Sequence, residues 1–282
     1  MGKRKLRTMG SRPRAQPDRV LNSDVEPGDL TTGDKAPAGD ETMDTLFNGR
    51  IKLFQSRRGY RFTLDAVLLA HFIHAKPRDR IVDLGAGNGA ISLMLAYLNP
   101  SAPITGVEIQ PAMIQRARRN VFLNGLEKRI KIIARDVRAI AGLAQPESFD
   151  VAVCNPPYRA PLSGRVSPNA EKRIARHEFA GALEHFVGAG GYLLAQKGRM
   201  ALVYPAFRSV DLLTVMRAAG VEPKRIRMVH SSSASEASLV LAEGVKGGNG
   251  GITVEPPLIV YDEQRRYAGK VAEMLAGEPP GR

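Results

Sequence analysis

The 282-residue sequence predicts an α/β domain: a mostly parallel sheet with helices packed on both faces. Three observations predict it. Beyond Lys76, short apolar runs alternate with helical patterns, as strands buried on two faces and their crossover helices do. The first run closes on a glycine turn, VDLGAGNGA, with Gly85, Gly87 and Gly89 following Asp83, at the place where open α/β sheets bind ligands. The fourth run ends at Asn155-Pro156-Pro157-Tyr158, where two prolines without N–H groups must break the ladder.

Taken in order, residues 1–45 are rich in Pro, Gly, Asp, Ser and Thr and lack apolar periodicity. They are expected to be a disordered tail ahead of a single domain at 46–282. Ile51, Leu53 and Phe54 open the apolar part, and LDAVLLAHFI reads as a helix with Thr63 as its cap. Strands are expected at Arg80–Leu84, Ile104–Ile109, Ile130–Ala134 and Phe149–Cys154. PAMIQRARRNVFLNG reads as a helix started by Pro111 and stopped by Asn124-Gly125. Its apolar face is Ile114, Ala117 and Val121, with Arg116 and Arg119 off that face. A helix near Leu183, a strand Met200–Tyr204, a helix Ser209–Ala219 and strands near Arg225–Val229 and Ser238–Ala242 complete the alternation. ITVEPPLIVYD follows as an edge strand that tolerates its prolines.

Composition narrows the class. The single cysteine, Cys154, excludes an internal disulfide, and the five histidines have no metal-binding spacing, so no metal is expected. No run reaches the roughly 18 apolar residues of a membrane span, and no signal-peptide core is present, so a cytoplasmic protein without a membrane partner is expected. The formal net charge is +13. Residues 1–20 hold seven Lys or Arg against Asp18, and residues 21–45 hold seven Asp or Glu against Lys35, so the two blocks cancel. The whole excess lies on the body, which suits a polyanion such as RNA. A solvated Arg-rich surface has the same composition.

The glycine turn has GxGxG spacing, and Asp83 beside it would repel a pyrophosphate, so a ligand with a cationic part fits better than a dinucleotide. Glu108 ends the second strand about 20 residues on, where a carboxylate accepts from ribose hydroxyls. Asp136 ends the third, placed to accept from an adenine amino group. At the fourth, a planar amino or amide nitrogen is a poor nucleophile because its lone pair is delocalised. Acceptors from the Asn155 side chain and the Pro156 carbonyl favour its pyramidal form, and Tyr158 offers a stacking face. Asn-Pro is also a common rigid turn. A loop carrying Arg165, Lys172, Arg173 and Arg176, followed by His177, is a candidate substrate loop or a basic surface loop.

These residues, DLGAGNG, Glu108, Asp136 and NPPY in that order, resemble the class I methyltransferases that modify planar nitrogens. GYRFTLDAVLLAHF, ARHEF and SEASLVLAEGVKGG resemble the bacterial tRNA adenine-N6 methyltransferase family acting on tRNA(Val), over about residues 46–272. The resemblance implies a Rossmann-like, seven-stranded, mostly parallel sheet and S-adenosylmethionine as cofactor. It also implies an adenine N6 near the tRNA anticodon as acceptor. It implies that the glycine loop and strand-end acids bind the cofactor, that Asn155 and Pro156 hold the target amino group, and that Tyr60, Phe62, Thr63 and Asp65 close over the cofactor. A release-factor glutamine amide, an rRNA or DNA amino group, and a non-catalytic RNA-binding role are the alternatives. The short segment before the sheet, in place of a folded helical domain, favours the nucleobase.

Overall fold

The computed structural model describes residues 36–58, 61–142, 145–157 and 182–279. It begins with an antiparallel hairpin of β1 (Glu41–Leu46) and β2 (Ile51–Ser56). Its turn places Phe47, Asn48 and Gly49 at φ of 52°, 54° and 83°, a left-handed stretch that Asn-Gly tolerates. The ordered body therefore starts before residue 46. Glu41 and Asp44, placed by composition in the tail's acidic block, are strand residues.

α1 (Leu64–Phe72) follows, with Thr63 in extended backbone at its N-cap but no capping bond from its hydroxyl. The main sheet then alternates: β3 (Ile81–Leu84), α2 (Ala90–Leu98), β4 (Ile104–Glu108), α3 (Pro111–Leu123), β5 (Ile130–Ala134), β6 (Phe149–Cys154), a helix α4 at 182–193, and β7 (Leu194–Pro205). α5 (Ser209–Ala218), β8 (Val221–His230), β9 (Ala237–Lys246), β10 (Thr253–Val254), β11 (Leu258–Ile259) and α6 (Gly269–Ala276) complete it.

Spatial order along the sheet is β5-β4-β3-β6-β7-β9-β8, with β10 and β11 both laid parallel on β8. β9 runs antiparallel to β7 and β8; every other pair is parallel. The expected seven strands are β3 to β9, and the sheet has nine because the final segment adds two short pieces, β10 and β11, on either side of Pro256-Pro257, residues that cannot donate to a ladder. One face packs on α1, α2, α3 and α6 through residues such as Leu68, Leu93, Val121 and Val271. The other packs on α4 and α5 through Leu183, Val187, Leu212 and Met216.

This order positions the site. From β3 the chain proceeds outward to β4 and β5, then returns to place β6 on the opposite side of β3. The reversal opens a crevice between the carboxyl ends of β3 and β6, the switch point at which such sheets bind ligands. Leu84 is in register with Cys154. The glycine turn and Asn155-Pro156 therefore leave adjacent strands at the same level.

Candidate functional site

Gly85, Gly87 and Gly89 all sit at positive φ, 76°, 57° and 84°, where side-chain-bearing residues are strained. A Cβ on Gly85 would also lie 2.9 Å from the Phe186 ring of α4. The turn is tied down by its neighbour strand: Gly85 and Ala86 donate to Val107 O at 2.9 and 3.0 Å. Glu108 holds it from the side. One carboxylate oxygen accepts from Gly87 N, and the other from Ile109 N and Gln110 N, each at 2.9 Å. Oε1 is thereby filled, and one further lone pair on Oε2 remains for a hydroxyl donor.

Asp83 lies beneath the turn, with its carboxyl fully buried. Ser92 Oγ donates to Oδ2 at 2.7 Å, while Oδ1 has no partner. Burial pushes this carboxyl up to about 7; the Ser92 hydroxyl opposes the rise and the Glu108 charge adds to it. An orphaned buried acceptor is costly, and here it sits under a turn whose other carboxylate is Glu108. A ligand carrying positive charge would relieve both. Across the crevice, Asn155 Oδ1 is another buried acceptor without a partner among the described residues. Pro156 behind it is buried and Pro157 is exposed. The neighbouring Cys154 thiol is pushed well up by burial, and then by Asp83, so it stays protonated and unreactive.

Several residues that sequence reasoning passed over hold this turn in place. Asn120, fully buried on α3, accepts from Phe54 N at 2.6 Å and donates to Phe54 O at 3.1 Å and to Asn88 O at 2.9 Å. One side chain thus joins β2 to the glycine turn. Asn124, one helical turn on, bonds Lys52 N and O in the same two-way manner. The spacings match: four helical residues rise about 6.0 Å, and two strand residues about 6.6 Å. Two amides on a helix thereby act as a partner strand for β2. Gln55 Oε1 accepts from Phe62 N at 2.8 Å and from Asn88 Nδ2 at 3.5 Å, so the segment before α1 is brought to the turn. Glu41 completes the docking, bonded by Arg116 Nε at 2.8 Å and Arg119 Nη1 at 2.7 Å. Burial would raise the Glu41 carboxyl, but the Ala38 N–H and the two guanidinium groups together hold it below its ordinary value. Asn-Gly at 48–49 between apolar runs was a readable hairpin signal. The amide clamp has no local signal.

The other expected residues divide. Phe62 is partly buried against the core, Thr63 is exposed and Asp65 is half-buried in the first turn of α1. Asp136 lies two residues past the end of β5, and Arg138 takes its carboxylate, with Nε at 2.8 Å from Oδ2 and the backbone N–H at 2.9 Å from Oδ1. The Arg138 bond is the largest cause holding Asp136 below its ordinary value. Tyr60, Tyr158, Arg165, Lys172, Arg173, Arg176 and His177 lie outside the described residues. Among the described residues no acid, His and Cys cluster suited to a metal occurs, and no helix is long and apolar enough to cross a membrane. A separate cavity of about 190 Å³, lined by His71, Phe72, Arg225 and Lys270 among others, shares no residue with this site. Its Arg225 already pairs with Glu243 and Glu255.

A family model, the methyltransferase small domain, matches residues 63–216. Among curated proteins, the tRNA1(Val) (adenine(37)-N6)-methyltransferase of Porphyromonas gingivalis is 30% identical over 200 residues, 69% of this chain and 78% of that protein. The protein of the same name from Dickeya chrysanthemi is 31% identical over 212 residues, 72% of this chain and 81% of that one. Among solved structures, a predicted O-methyltransferase from Agrobacterium tumefaciens aligns with a TM-score of 0.63 at 21% identity, over 77% of this chain and 98% of that chain. TYW2 of P. horikoshii, in complex with MeSAdo, aligns with a TM-score of 0.51 at 18% identity, over 74% of this chain and 72% of that chain. These two share the fold.

Proposed function

Because the chain belongs to the methyltransferase small-domain family, we propose that it methylates the exocyclic N6 of an adenine in tRNA. The acceptor is the position 37 adenine of tRNA1(Val), the one its relatives' names specify. The observation that carries this reading is the unpartnered, buried Asn155 Oδ1 on the strand next to the glycine turn. A buried acceptor without a partner suits a ligand bearing N–H donors, and an adenine amino group has two.

The residues present fit S-adenosylmethionine. Glu108 Oε2 has a lone pair free for a ribose hydroxyl, and Asp83 places an acid beneath a turn whose ligand is cationic. When bound, the cofactor supplies an electrophilic methyl group on a sulfonium. The protein's part is positioning. Asn155 Oδ1 and the Pro156 carbonyl take the two amino hydrogens and draw the nitrogen out of conjugation, so that its lone pair points at the crevice. The leaving thioether is neutral, so the amino proton departs after transfer and no strong base is needed. The cytoplasm, where tRNA is modified, is the matching compartment, and the basic body supplies attraction to the RNA backbone.

The test is incubation of the purified chain with labelled S-adenosylmethionine and separate pools of tRNA, rRNA, DNA and protein. Label in N6-methyladenine of tRNA is expected. Asn155→Ala should lower turnover by orders of magnitude while cofactor affinity holds. Label in a protein pool, or full turnover by that variant at saturation, would overturn the reading.

A further inference from the structure

Phe207 is the most exposed large apolar residue among those described, at 86%, and Val210, three positions on and on the same helical face, is 77% exposed. Neither serves the core. They sit at the junction of β7 and α5, Phe207 in a short turn at Ala206–Arg208 and Val210 in the first turn of α5. Ser209 Oγ donates to Ala206 O at 2.6 Å, and Arg208 donates to Asp211 at 2.9 Å and to the Tyr204 hydroxyl at 3.2 Å. The turn therefore holds an aromatic face out toward water on a braced backbone.

Its place in the fold points to what covers it. β7 runs parallel to β6 with Leu202 opposite Cys154, so both strands end on the edge where Asn155 lies. Adjacent strands are about 4.8 Å apart, and each residue rises about 3.3 Å. Phe207 consequently stands on the order of 10 Å from Asn155, above the same rim. A base held at Asn155 has left its stack, and its neighbours have each lost a face. An aromatic ring replaces such a face without reading sequence.

We infer that Phe207 is a stacking platform for a nucleobase flanking the adenine at Asn155. This rests on the functional reading above. Two adjacent side chains form too small an apolar area for a stable protein interface, which buries about 1,600 Å². They suit one base, on a body whose excess charge of +13 draws a polyanion.

The experiment uses the full chain, labelled S-adenosylmethionine and an unmodified tRNA1(Val) transcript, with Phe207→Ala and Phe207→Tyr beside the wild type. Phe207→Ala should raise the KM for the transcript by roughly 5- to 150-fold. Cofactor affinity and the urea midpoint should stay unchanged, and Phe207→Tyr, which keeps the ring, should return KM to near the wild-type value. An unchanged KM in Phe207→Ala, with the wild type active, overturns the platform alone. So does equal impairment of the alanine and tyrosine variants, or conversion of a wild-type dimer to monomers by Phe207→Ala in sedimentation, which would make the patch a contact between copies. A wild type that leaves the transcript unmethylated overturns the functional reading and the platform with it.

Discussion

Replacing Asp83 by Asn should make the ligand-free protein gain stability, relative to the wild type, as pH rises. Asp83 is fully buried, and its carboxyl is raised from an ordinary value of 3.8 to about 7. A raised carboxyl binds its proton more tightly in the folded chain than in the unfolded one. Its contribution is thus favourable below about pH 4 and lost as pH climbs to about 7. Three pKa units correspond to about 4 kcal/mol in full, and the part falling between pH 5 and pH 8 is roughly 2.5 kcal/mol. The Asn amide retains an acceptor for Ser92 and leaves an N–H unpaired, at a cost of about 1–3 kcal/mol. That cost does not vary with pH, so it cancels from the difference between the two pH values. Urea unfolding of wild type and Asp83→Asn at pH 5 and pH 8, extrapolated to water, measures it. Stability differences that agree within about 0.5 kcal/mol at both pH values would refute the buried-acid argument. The same substitution should weaken S-adenosylmethionine, making Asp83 a residue kept for binding against the interest of the fold.

Three further outcomes are expected. Asn120→Ala strips partners from Phe54 N, Phe54 O and Asn88 O in a buried site. It should cost about 2–4 kcal/mol in urea unfolding and loosen cofactor binding about tenfold, ~1.4 kcal/mol; a neutral result would mean the clamp is incidental. Glu108→Ala removes the acceptor shared by Gly87, Ile109 and Gln110, and calorimetry should show cofactor affinity down by at least tenfold, ~1.4 kcal/mol. Deleting residues 1–35, which stops short of the hairpin, should leave salt-sensitive tRNA binding largely intact. Loss of binding at low salt in a filter assay would place the RNA contact on the basic block from Lys3 to Arg19 instead.

Local chemistry explains what was legible in the sequence. β5 and β6 run between the residues that their apolar runs mark, Ile130–Ala134 and Phe149–Cys154, because a mostly buried strand leaves few polar positions, here Lys131 and Asp150. β7 begins six residues earlier than Met200, since Ala195, Gln196 and Lys197 form a half-exposed and exposed start, with Lys197 at φ 65°. A polar stretch of that kind looks like a loop. The hairpin escaped for a related reason. Glu41 is buried only because Arg116 and Arg119, 75 and 78 positions on, neutralise it, and no window of sequence shows such a partner. The turn at Gly85, Gly87 and Gly89 and the strand end at Glu108 were readable because strand, turn and spacing lie in one stretch. Asn120 was not, because a helix asparagine usually reads as surface.

The double use of Asn120 carries a thermodynamic consequence. Its amide holds β2 with one pair of bonds and the glycine turn with another. Hairpin docking and turn geometry therefore share a free-energy term, and linkage makes the sharing symmetric. Whatever a docked hairpin adds to the affinity of a molecule resting on the turn, that molecule returns as protection of the hairpin against opening. The amides of Lys52 and Phe54 become reporters of an event at the glycine turn, and hydrogen exchange at those two positions reads site occupancy without any probe at the site.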